Sequence, residues 1–434
     1  MGAPRVVFRR PPLGVVALVM LIGVVLWMRW STIAGGQWVD LDVYTRAGAS
    51  ILRGESLYDV SVKDLPFTYP PFAAALFTPL SLVPVEVSRW LFTAGSLICY
   101  VAIVVIGVQS TRIGWLLGGV VGAAGLALEP FFLNISLGQI NLYLILMVIL
   151  DCLVVPARHR GWLVGLAAGI KIVPGAFVLY FALKRDWPAV RRAVTGFAVS
   201  VVLGAFVAPR DSWSYWSGGF MDVSRIGADV APRGDNQSLS AEFLRLTHDV
   251  NAPWVVLVAL SALTMLFAAL VAKRQLDAER PLDAVVALGL GSVLASPVSW
   301  THHWLWVVPL LLVTVSRRWW ITSYALGIVF LVGPMWLVPM YNFREFNQNW
   351  WQAILGASYV LFGIAMLVRL FFIHPGGRGW SGPGEPRGVR KDDEVKRRQP
   401  IGMSSESSGL LSPFPHDVHE TMHEGPYART ETDL

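Results

Sequence analysis

Long uninterrupted apolar runs dominate the first 374 residues of the chain. Residues 13–28, 252–272 and 354–373 are examples, and each is close to the roughly 20 apolar residues that a helix needs to cross a bilayer. The runs are solid blocks, whereas a soluble amphipathic helix carries its apolar residues as a stripe on one face. The pattern therefore predicts an all-α integral membrane protein with many passes. The first run also suits a signal peptide, but no small-residue cleavage site follows it.

Basic residues indicate which ends of these runs face the cytoplasm. Arg5, Arg9 and Arg10 precede the first run, and basic clusters end several later runs, as the positive-inside rule describes. Following these clusters along the chain predicts about 12 transmembrane helices with both termini cytoplasmic. The loops 34–85 and 209–252 are then extracytoplasmic, and we expect the protein in the plasma (inner) membrane.

The apolar segment 161–183 interrupts this alternation, because both of its flanks are basic. A single crossing would put the second basic cluster outside the cytoplasm. Two short half-helices, broken between Gly169 and Gly175, keep both flanks inside, and such breaks are tolerated where they line a cavity. We therefore predict a broken helix pair around Lys171 and Pro174.

Composition excludes several other classes of protein. The chain is 54% hydrophobic and 15% charged, against about 25% charged residues in a soluble domain. The net charge of +6 does not predict a nucleic-acid partner, because the basic residues lie at the ends of apolar runs and in the tail. The two cysteines, Cys99 and Cys152, both lie inside apolar runs and indicate neither a disulfide nor a metal site.

The chain divides into a membrane domain, residues 1–374, and a tail, residues 375–434. The tail is rich in Gly, Pro, Ser, Arg and Glu and has too little apolar surface to form a core, so we predict a disordered cytoplasmic tail. Its histidines are spaced and isolated, which does not favour a metal site.

The first outer loop holds ionisable residues close to the membrane surface. Asp40 and Arg46 lie just after the first apolar run, where a charge packed among helices is costly and usually functional. Asp40 is equally well explained as the N-cap of a short helix that begins near Val43. Asp40 and Asp42 also form an Asp-x-Asp pair suited to a divalent metal, although no third ligand is apparent.

A second feature of this loop is the apolar stretch that follows Tyr69-Pro70-Pro71. It is too short to span the membrane. It suits a short helix in the outer interface, at the portal for a lipid-linked substrate. A packing element that covers the bundle is the alternative.

Two further positions carry candidate chemistry. Lys171 lies within an apolar segment and needs a negative partner, either a bound anion such as phosphate or the carboxylate of Glu129. His302 and His303 lie at the outer end of a predicted span, and adjacent residues cannot both face one side of a helix. At most one of them should therefore face a cavity, and the alternative is a pair of interface histidines.

Side-chain amides complete the predicted outer site. Gln139, Asn141, Asn236 and Gln237 suit hydroxyl-rich ligands, and they also suit ordinary loop turns. A carboxylate, an imidazole, an ammonium and amides on one side of a bundle fit a transferase with a lipid-phosphate-linked donor. They also fit a transporter or flippase of a lipid-linked sugar, although no internal repeat of the kind common in transporters is visible.

Several motifs, in one order between about residues 36 and 310, resemble glycosyltransferase family 87. This is the family of polyprenol-phosphate-mannose-dependent α-mannosyltransferases of mycobacteria and their relatives. The motifs are Val39-Asp40-Leu41-Asp42-Val43-Tyr44, Gly54-Glu55-Ser56-Leu57-Tyr58, Phe67-Thr68-Tyr69-Pro70-Pro71-Phe72, Leu137-Gly138-Gln139-Ile140-Asn141, Gly169-Ile170-Lys171-Ile172-Val173-Pro174, Asp235-Asn236-Gln237-Ser238 and Ser296-Pro297-Val298-Ser299-Trp300-Thr301-His302-His303-Trp304.

The resemblance implies a C-type glycosyltransferase (GT-C) fold and an extracytoplasmic, inverting transfer of mannose. The donor would be polyprenyl-phosphate-mannose and the acceptor a phosphatidylinositol mannoside, with an α-1,2 linkage. A related member acting on lipomannan or lipoarabinomannan is the alternative. Beyond these two substrates and membrane lipids the family implies no partner, no cofactor and no obvious need for a metal.

The resemblance also implies roles for individual residues. Asp40 would be the general base, one of His302 and His303 the functional histidine, and Lys171 the residue that binds the donor phosphate. We expect the remaining polar residues of the outer side to bind substrate. They are Asp42, Arg46, Tyr69, Gln139, Asn141, Asn236 and Gln237.

Overall fold

The computed structural model describes residues 35–372 apart from 60, 64, 220–229 and 251. These residues all belong to one compact unit, residues 1–377. The predicted first span and the predicted tail lie outside the described residues, so both stay predictions.

Helices make up most of the described chain, because an apolar segment in a bilayer satisfies its backbone hydrogen bonds internally only as a helix. The helices of the first half are α1 Val39–Arg53, α2 Pro71–Ser81, α3 Val85–Thr111, α4 Trp115–Gly125, α5 Glu129–Leu137, α6 Asn141–Ile149, α7 Trp162–Ile170, α8 Val178–Leu183 and α9 Trp187–Val207. Those of the second half are α10 Pro209–Trp216, α11 Leu239–Thr247, α12 Trp254–Asp277, α13 Pro281–Ala295, α14 Val307–Ser316, α15 Trp320–Val332, α16 Trp350–Gly356 and α17 Ser358–Phe372.

Short irregular elements connect these helices. A π-helical turn, Leu150–Val154, continues α6, and the 3-10 helices are Val173–Phe177, Thr301–Trp306, Pro334–Leu337 and Arg344–Asn347. A small antiparallel hairpin in the first loop pairs β1, Ser61–Val62, with β2, Leu65–Pro66.

Length and hydropathy identify membrane-crossing helices. Three described helices, α3, α9 and α12, are long and apolar enough to cross a bilayer. Two bent pairs, α4 with α5 (61°) and α16 with α17 (68°), meet the same criteria when each is taken together, which gives up to 5 spans in the described chain. Further apolar helical stretches of the described chain, some of them continued by a 3-10 helix or a π-helical turn, have 10–17 residues. These helices fit an all-α membrane protein, whereas the count of about 12 spans stays a prediction.

The predicted break in segment 161–183 is confirmed. Helix α7 ends at Ile170, Lys171 has an extended backbone (φ −147°, ψ 129°), and a 3-10 helix leads from there into α8. At the break, backbone groups lose their helical hydrogen-bond partners. Because α7 ends before Lys171, the direction of the Lys171 side chain is not set by the periodicity of this helix.

Helix α13 is the centre of the bundle. Every residue from Leu282 to Ala295 is buried, which is typical of a helix that is apolar on all sides. Helices α12 and α17 pack against it, as does the 3-10 helix Thr301–Trp306. This packing holds the segment that carries the two histidines against the core.

The turn between α5 and α6 brings the first loop onto the bundle. Gly138 has a left-handed backbone (φ 71°), and a Cβ at this position would lie 2.6 Å from Leu41 Cβ. Only glycine allows both this conformation and this close approach. The Trp38 amide donates to Ser136 O at 2.8 Å. The start of α1 is therefore fixed directly over Gln139.

Candidate active site

Five segments that are distant in sequence meet at one site. They are the first turn of α1, the residues just before α2, the α5–α6 turn, the break after α7 and the 3-10 helix Thr301–Trp306. Of the predicted residues, they bring together Asp40, Tyr69, Gln139, Asn141, Lys171, His302 and His303.

Asp40 and Asp42 lie in the first turn of α1, because this helix begins at Val39. The N-cap position is Trp38, so the interpretation of Asp40 as the cap of a helix from Val43 is wrong. Two residues apart on a helix, the carboxylates diverge by about 200°. Asp42 pairs with Arg89 at 3.0 and 3.1 Å, whereas Asp40 hydrogen-bonds to Gln139 and interacts with the Lys171 charge.

Two tyrosines surround the Gln139 side chain. Tyr44 Oη lies 3.0 Å from Gln139 Oε1, Tyr69 Oη lies 3.3 Å from the same atom, and the two hydroxyls are 2.9 Å apart. Sequence reasoning did not include Tyr44 in the site, because it placed the helix start too late. With the helix beginning at Val39, the i, i+4 spacing from Asp40 puts Tyr44 on the same face.

Lys171 donates to two neutral acceptors. Its Nζ lies 3.1 Å from Asn141 Oδ1 and 3.1 Å from His303 Nε2. The predicted alternative, an ion pair with Glu129, is wrong: the Glu129 carboxylate accepts from Tyr359 Oη and Trp336 Nε1, each at 2.9 Å. An ammonium has three N–H groups, so two are engaged by described residues.

The two histidines point in different directions, as their adjacency predicts. His303 contacts Lys171 and lines a cleft, whereas His302 is buried beside it with the rings perpendicular and 4.8 Å apart. The His302 carbonyl accepts from Asn141 Nδ2 at 3.3 Å, and its Nε2 has no hydrogen-bond partner within the described chain. Because a lysine ammonium can only donate, His303 Nε2 must accept, which assigns the ring proton to Nδ1.

A small cleft of about 50 Å³ begins at this polar cluster. Asn141, Lys171 and His303 form part of its lining, and most of the rest is apolar. The apolar lining comprises Leu144, Ile145, Val148, Val173, Pro174, Phe177, Val293 and Trp306. A cleft with a cation among neutral polar groups and an apolar continuation suits an amphiphile with an anionic group.

Comparison with known proteins agrees with this chemistry. Residues 67–297 match the model of Glycosyltransferase family 87. The chain belongs to glycosyltransferase family 87. This confirms the family predicted from the ordered motifs.

Curated relatives of this family 87 chain cover most of its length. A polyprenol-phosphate-mannose-dependent alpha-(1-2)-phosphatidylinositol mannoside mannosyltransferase of Mycobacterium tuberculosis is 35% identical over 362 residues, which is 76% of this chain and 83% of the relative. A protein of the same name from Mycolicibacterium smegmatis is 32% identical over 408 residues, 84% of this chain and 90% of the relative.

A further relative from Mycolicibacterium smegmatis is named for a phosphatidylinositol pentamannoside acceptor. It is 32% identical over 387 residues, covering 83% of this chain and 92% of the relative. No solved structure matches the chain.

Besides Asp42, three predicted substrate-binding residues of this family 87 member have other partners. Arg46 is exposed and lies 3.4 Å from Glu55. Asn236 is fully buried, donates to two backbone carbonyls and accepts from the Ser299 amide at 2.8 Å. Gln237 is also fully buried, and it donates to two carbonyls and accepts from the Tyr359 amide. The Asn236 amide braces the segment that leads to the histidines, whereas the Gln237 amide contacts the junction of α16 and α17. Contact of either amide with substrate stays a prediction.

Asp40 combines partial burial with a nearby cation. Burial raises the pKa of Asp40 to about 6, opposed by the hydrogen bond from Gln139 and by the charge of Lys171. Burial and the Asp40 charge also raise the pKa of Tyr69 well above its usual value, so its hydroxyl stays protonated. A carboxylate with a pKa near neutrality is suited to accept a proton in catalysis.

Proposed function

We propose that this chain is a polyprenol-phosphate-mannose-dependent α-mannosyltransferase that extends a phosphatidylinositol mannoside through an α-1,2 linkage. The names of its relatives support this activity. The observation that carries the assignment is that Lys171 lines a largely apolar cleft and its charge acts on the carboxylate of Asp40. A proton acceptor and a phosphate-binding cation are the two groups that such a transfer needs.

The membrane architecture belongs to the same proposal. The enzyme has a GT-C fold with about 12 spans, both termini are cytoplasmic, and Asp40 faces outward at the plasma membrane. The basic residues at the ends of the apolar runs support this orientation. An extracytoplasmic site also accounts for a lipid-linked donor, since nucleotide sugars are absent from that compartment.

The proposed reaction is a single displacement at the anomeric carbon. The acceptor hydroxyl oxygen bonds to C1 of mannose and transfers its proton to Asp40, while the bond between C1 and the phosphate oxygen breaks. Attack opposite the leaving group inverts the β-linked donor into an α-mannoside. Lys171 stabilises the charge that develops on the departing polyprenyl phosphate, and the apolar residues beside Lys171 contact the start of its chain.

Metal-independent transfer is part of the proposal. Asp42, the second carboxylate of the Asp-x-Asp pair, already pairs with Arg89 and diverges from Asp40 on the helix. Lys171 then supplies the positive charge at the phosphate.

The test uses the full-length protein in detergent with polyprenyl-phosphate-mannose and a series of phosphatidylinositol mannosides. We expect release of polyprenyl phosphate and an acceptor longer by one mannose, with an α-1,2 linkage by product analysis. A transporter or flippase would leave both lipids chemically unchanged. That outcome, with folded protein and authentic substrates, would overturn the proposal.

A further inference from the structure

The orientation of the Gln139 amide follows from its neighbours. Ionised Asp40 can only accept hydrogen bonds, so the Gln139 atom that faces it must be the Nε2 donor. Gln139 Oε1 then faces Tyr44 and Tyr69, whose hydroxyls can donate to it at 3.0 and 3.3 Å. The reverse orientation would place an amide oxygen against a carboxylate, which is repulsive.

The backbone of Gln139 is fixed as firmly as its side chain. Its amide donates to Asn134 O at 2.9 Å, and its carbonyl accepts from Asn134 Nδ2 at 3.2 Å. Gly138, in its left-handed conformation, places this turn directly below α1. Tyr44 is fully buried, with its ring stacked on Phe77 at 4.4 Å, so it holds the amide from a rigid position.

We propose that Gln139, oriented by Tyr44 and Tyr69, is the positioning residue that keeps the Asp40 carboxylate aligned and ready to accept a proton. This inference rests on the proposed mannosyl transfer. It assigns Gln139 a contact with the base, whereas the sequence predicted a contact with the sugar. The amide donates to the charged form of Asp40 and so favours that form over the protonated one.

Other groups act on Asp40 as well. They are Lys171 from the break after α7, Tyr69 from the segment before α2 and Tyr44 from α1 itself. The Lys171 charge also favours ionised Asp40. Since Lys171 is unchanged in a Gln139 variant, a pH shift in that variant reports the amide contact.

The experiment compares Gln139→Met with wild type as kcat/KM against pH, with the full-length protein in detergent. Methionine keeps the length of the side chain and removes both hydrogen-bonding ends. On the acidic side of the profile, kcat/KM falls as Asp40 becomes protonated, and we call this side the acid limb. We expect the acid limb of Gln139→Met to lie about one unit higher in pH than that of wild type, because a hydrogen bond to the charged form of Asp40 is lost. The loss of activity should therefore be about tenfold larger below pH 6 than at pH 8. A residue that only contacted sugar would raise the acceptor KM equally at all pH values.

Two further variants keep the test decisive. Tyr44→Phe removes one of the two hydroxyls that orient the Gln139 amide. Its acid limb should therefore also move to higher pH, but by less than that of Gln139→Met. If Gln139→Met does not fold, Tyr44→Phe is used for the test in its place. Gln352→Met makes the same substitution at the N-terminus of α16, where Gln352 forms a capping box with Asn349, and its acid limb should coincide with that of wild type.

If both variants fold and the acid limb of each coincides with that of wild type, the inference about Gln139 is overturned. Turnover by the wild type would in that case still support the proposed transferase activity. Absence of wild-type turnover would instead overturn the transferase itself.

Discussion

Replacing Asp40 by asparagine tests the proposed general base most directly. The change keeps the volume of the side chain, and the new amide can still accept from Gln139 through its oxygen. Loss of a general base costs about 10²–10⁴-fold in rate, or about 2.7–5.5 kcal/mol in activation free energy. With a pKa of about 6, roughly 90% of Asp40 is ionised at pH 7. Most wild-type molecules therefore hold Asp40 in the form that can accept a proton. We expect the loss of rate in Asp40→Asn to lie in the upper half of that range.

Donor binding by Asp40→Asn should not weaken along with the rate. Asp40 is a negative charge that interacts with Lys171 and repels an incoming phosphate. Removing this charge should leave the affinity for polyprenyl-phosphate-mannose unchanged or raise it severalfold. The assay measures initial rates of mannose transfer with purified protein, together with equilibrium binding of the donor.

Asp42→Asn is the matched control. It makes the same chemical change two residues away and breaks the ion pair between Asp42 and Arg89. The Asp42 side chain is 19% exposed and the Arg89 side chain 21%. Such a pair contributes about 1 kcal/mol or less, so thermal stability should fall modestly and the rate should stay within severalfold of wild type. Retention of more than about a tenth of the wild-type rate in Asp40→Asn would refute the base assignment. A parallel loss of rate and donor binding would indicate a structural role for Asp40.

Lys171→Gln should lower donor kcat/KM by roughly tenfold to a hundredfold, because a charge-assisted contact with phosphate is lost; unchanged donor kinetics in a folded variant would make Lys171 structural. Wild-type kcat/KM should fall tenfold per unit as pH decreases below about 6, since protonated Asp40 cannot accept a proton; a flat profile down to pH 5 contradicts this. A chelator should leave turnover unchanged, and restoration of lost activity by a divalent cation would show a metal requirement. In intact cells, a cysteine at exposed Glu55 should react with an impermeant reagent and one at exposed Lys273 should not, and the reverse pattern would invert the proposed topology.

The sequence predicted the polar centre of the site better than its supporting contacts. Lys171 could be identified because a lysine in an apolar segment with two basic flanks requires both a break and an anionic partner. Tyr44 was missed because its inclusion depends on where α1 begins, and the left-handed Trp38 that starts the helix has no sequence signal as clear as an Asp or Ser cap. Helix boundaries are the least reliable part of such predictions.

Choosing among polar residues required tertiary contacts. His302 and His303 are equivalent in sequence, and only the packing of the 3-10 helix Thr301–Trp306 turns His303 towards Lys171. Asn236 and Gln237 have the residue types of a sugar site, yet their hydrogen bonds go to backbone groups. Whether an amide binds ligand or backbone depends on burial, which residue type does not specify.

The placement of Lys171 near Asp40 has a consequence for charge balance during turnover. Before transfer, the carboxylate, the donor phosphodiester and the ammonium sum to one negative charge. Afterwards Asp40 is neutral, the polyprenyl phosphate carries two negative charges and the ammonium is unchanged, so the sum is the same. Negative charge moves from Asp40 to the phosphate without any ion entering or leaving a region of low dielectric. The chemical step therefore leaves the net charge of the site unchanged, and the net charge changes only when the doubly charged lipid product departs.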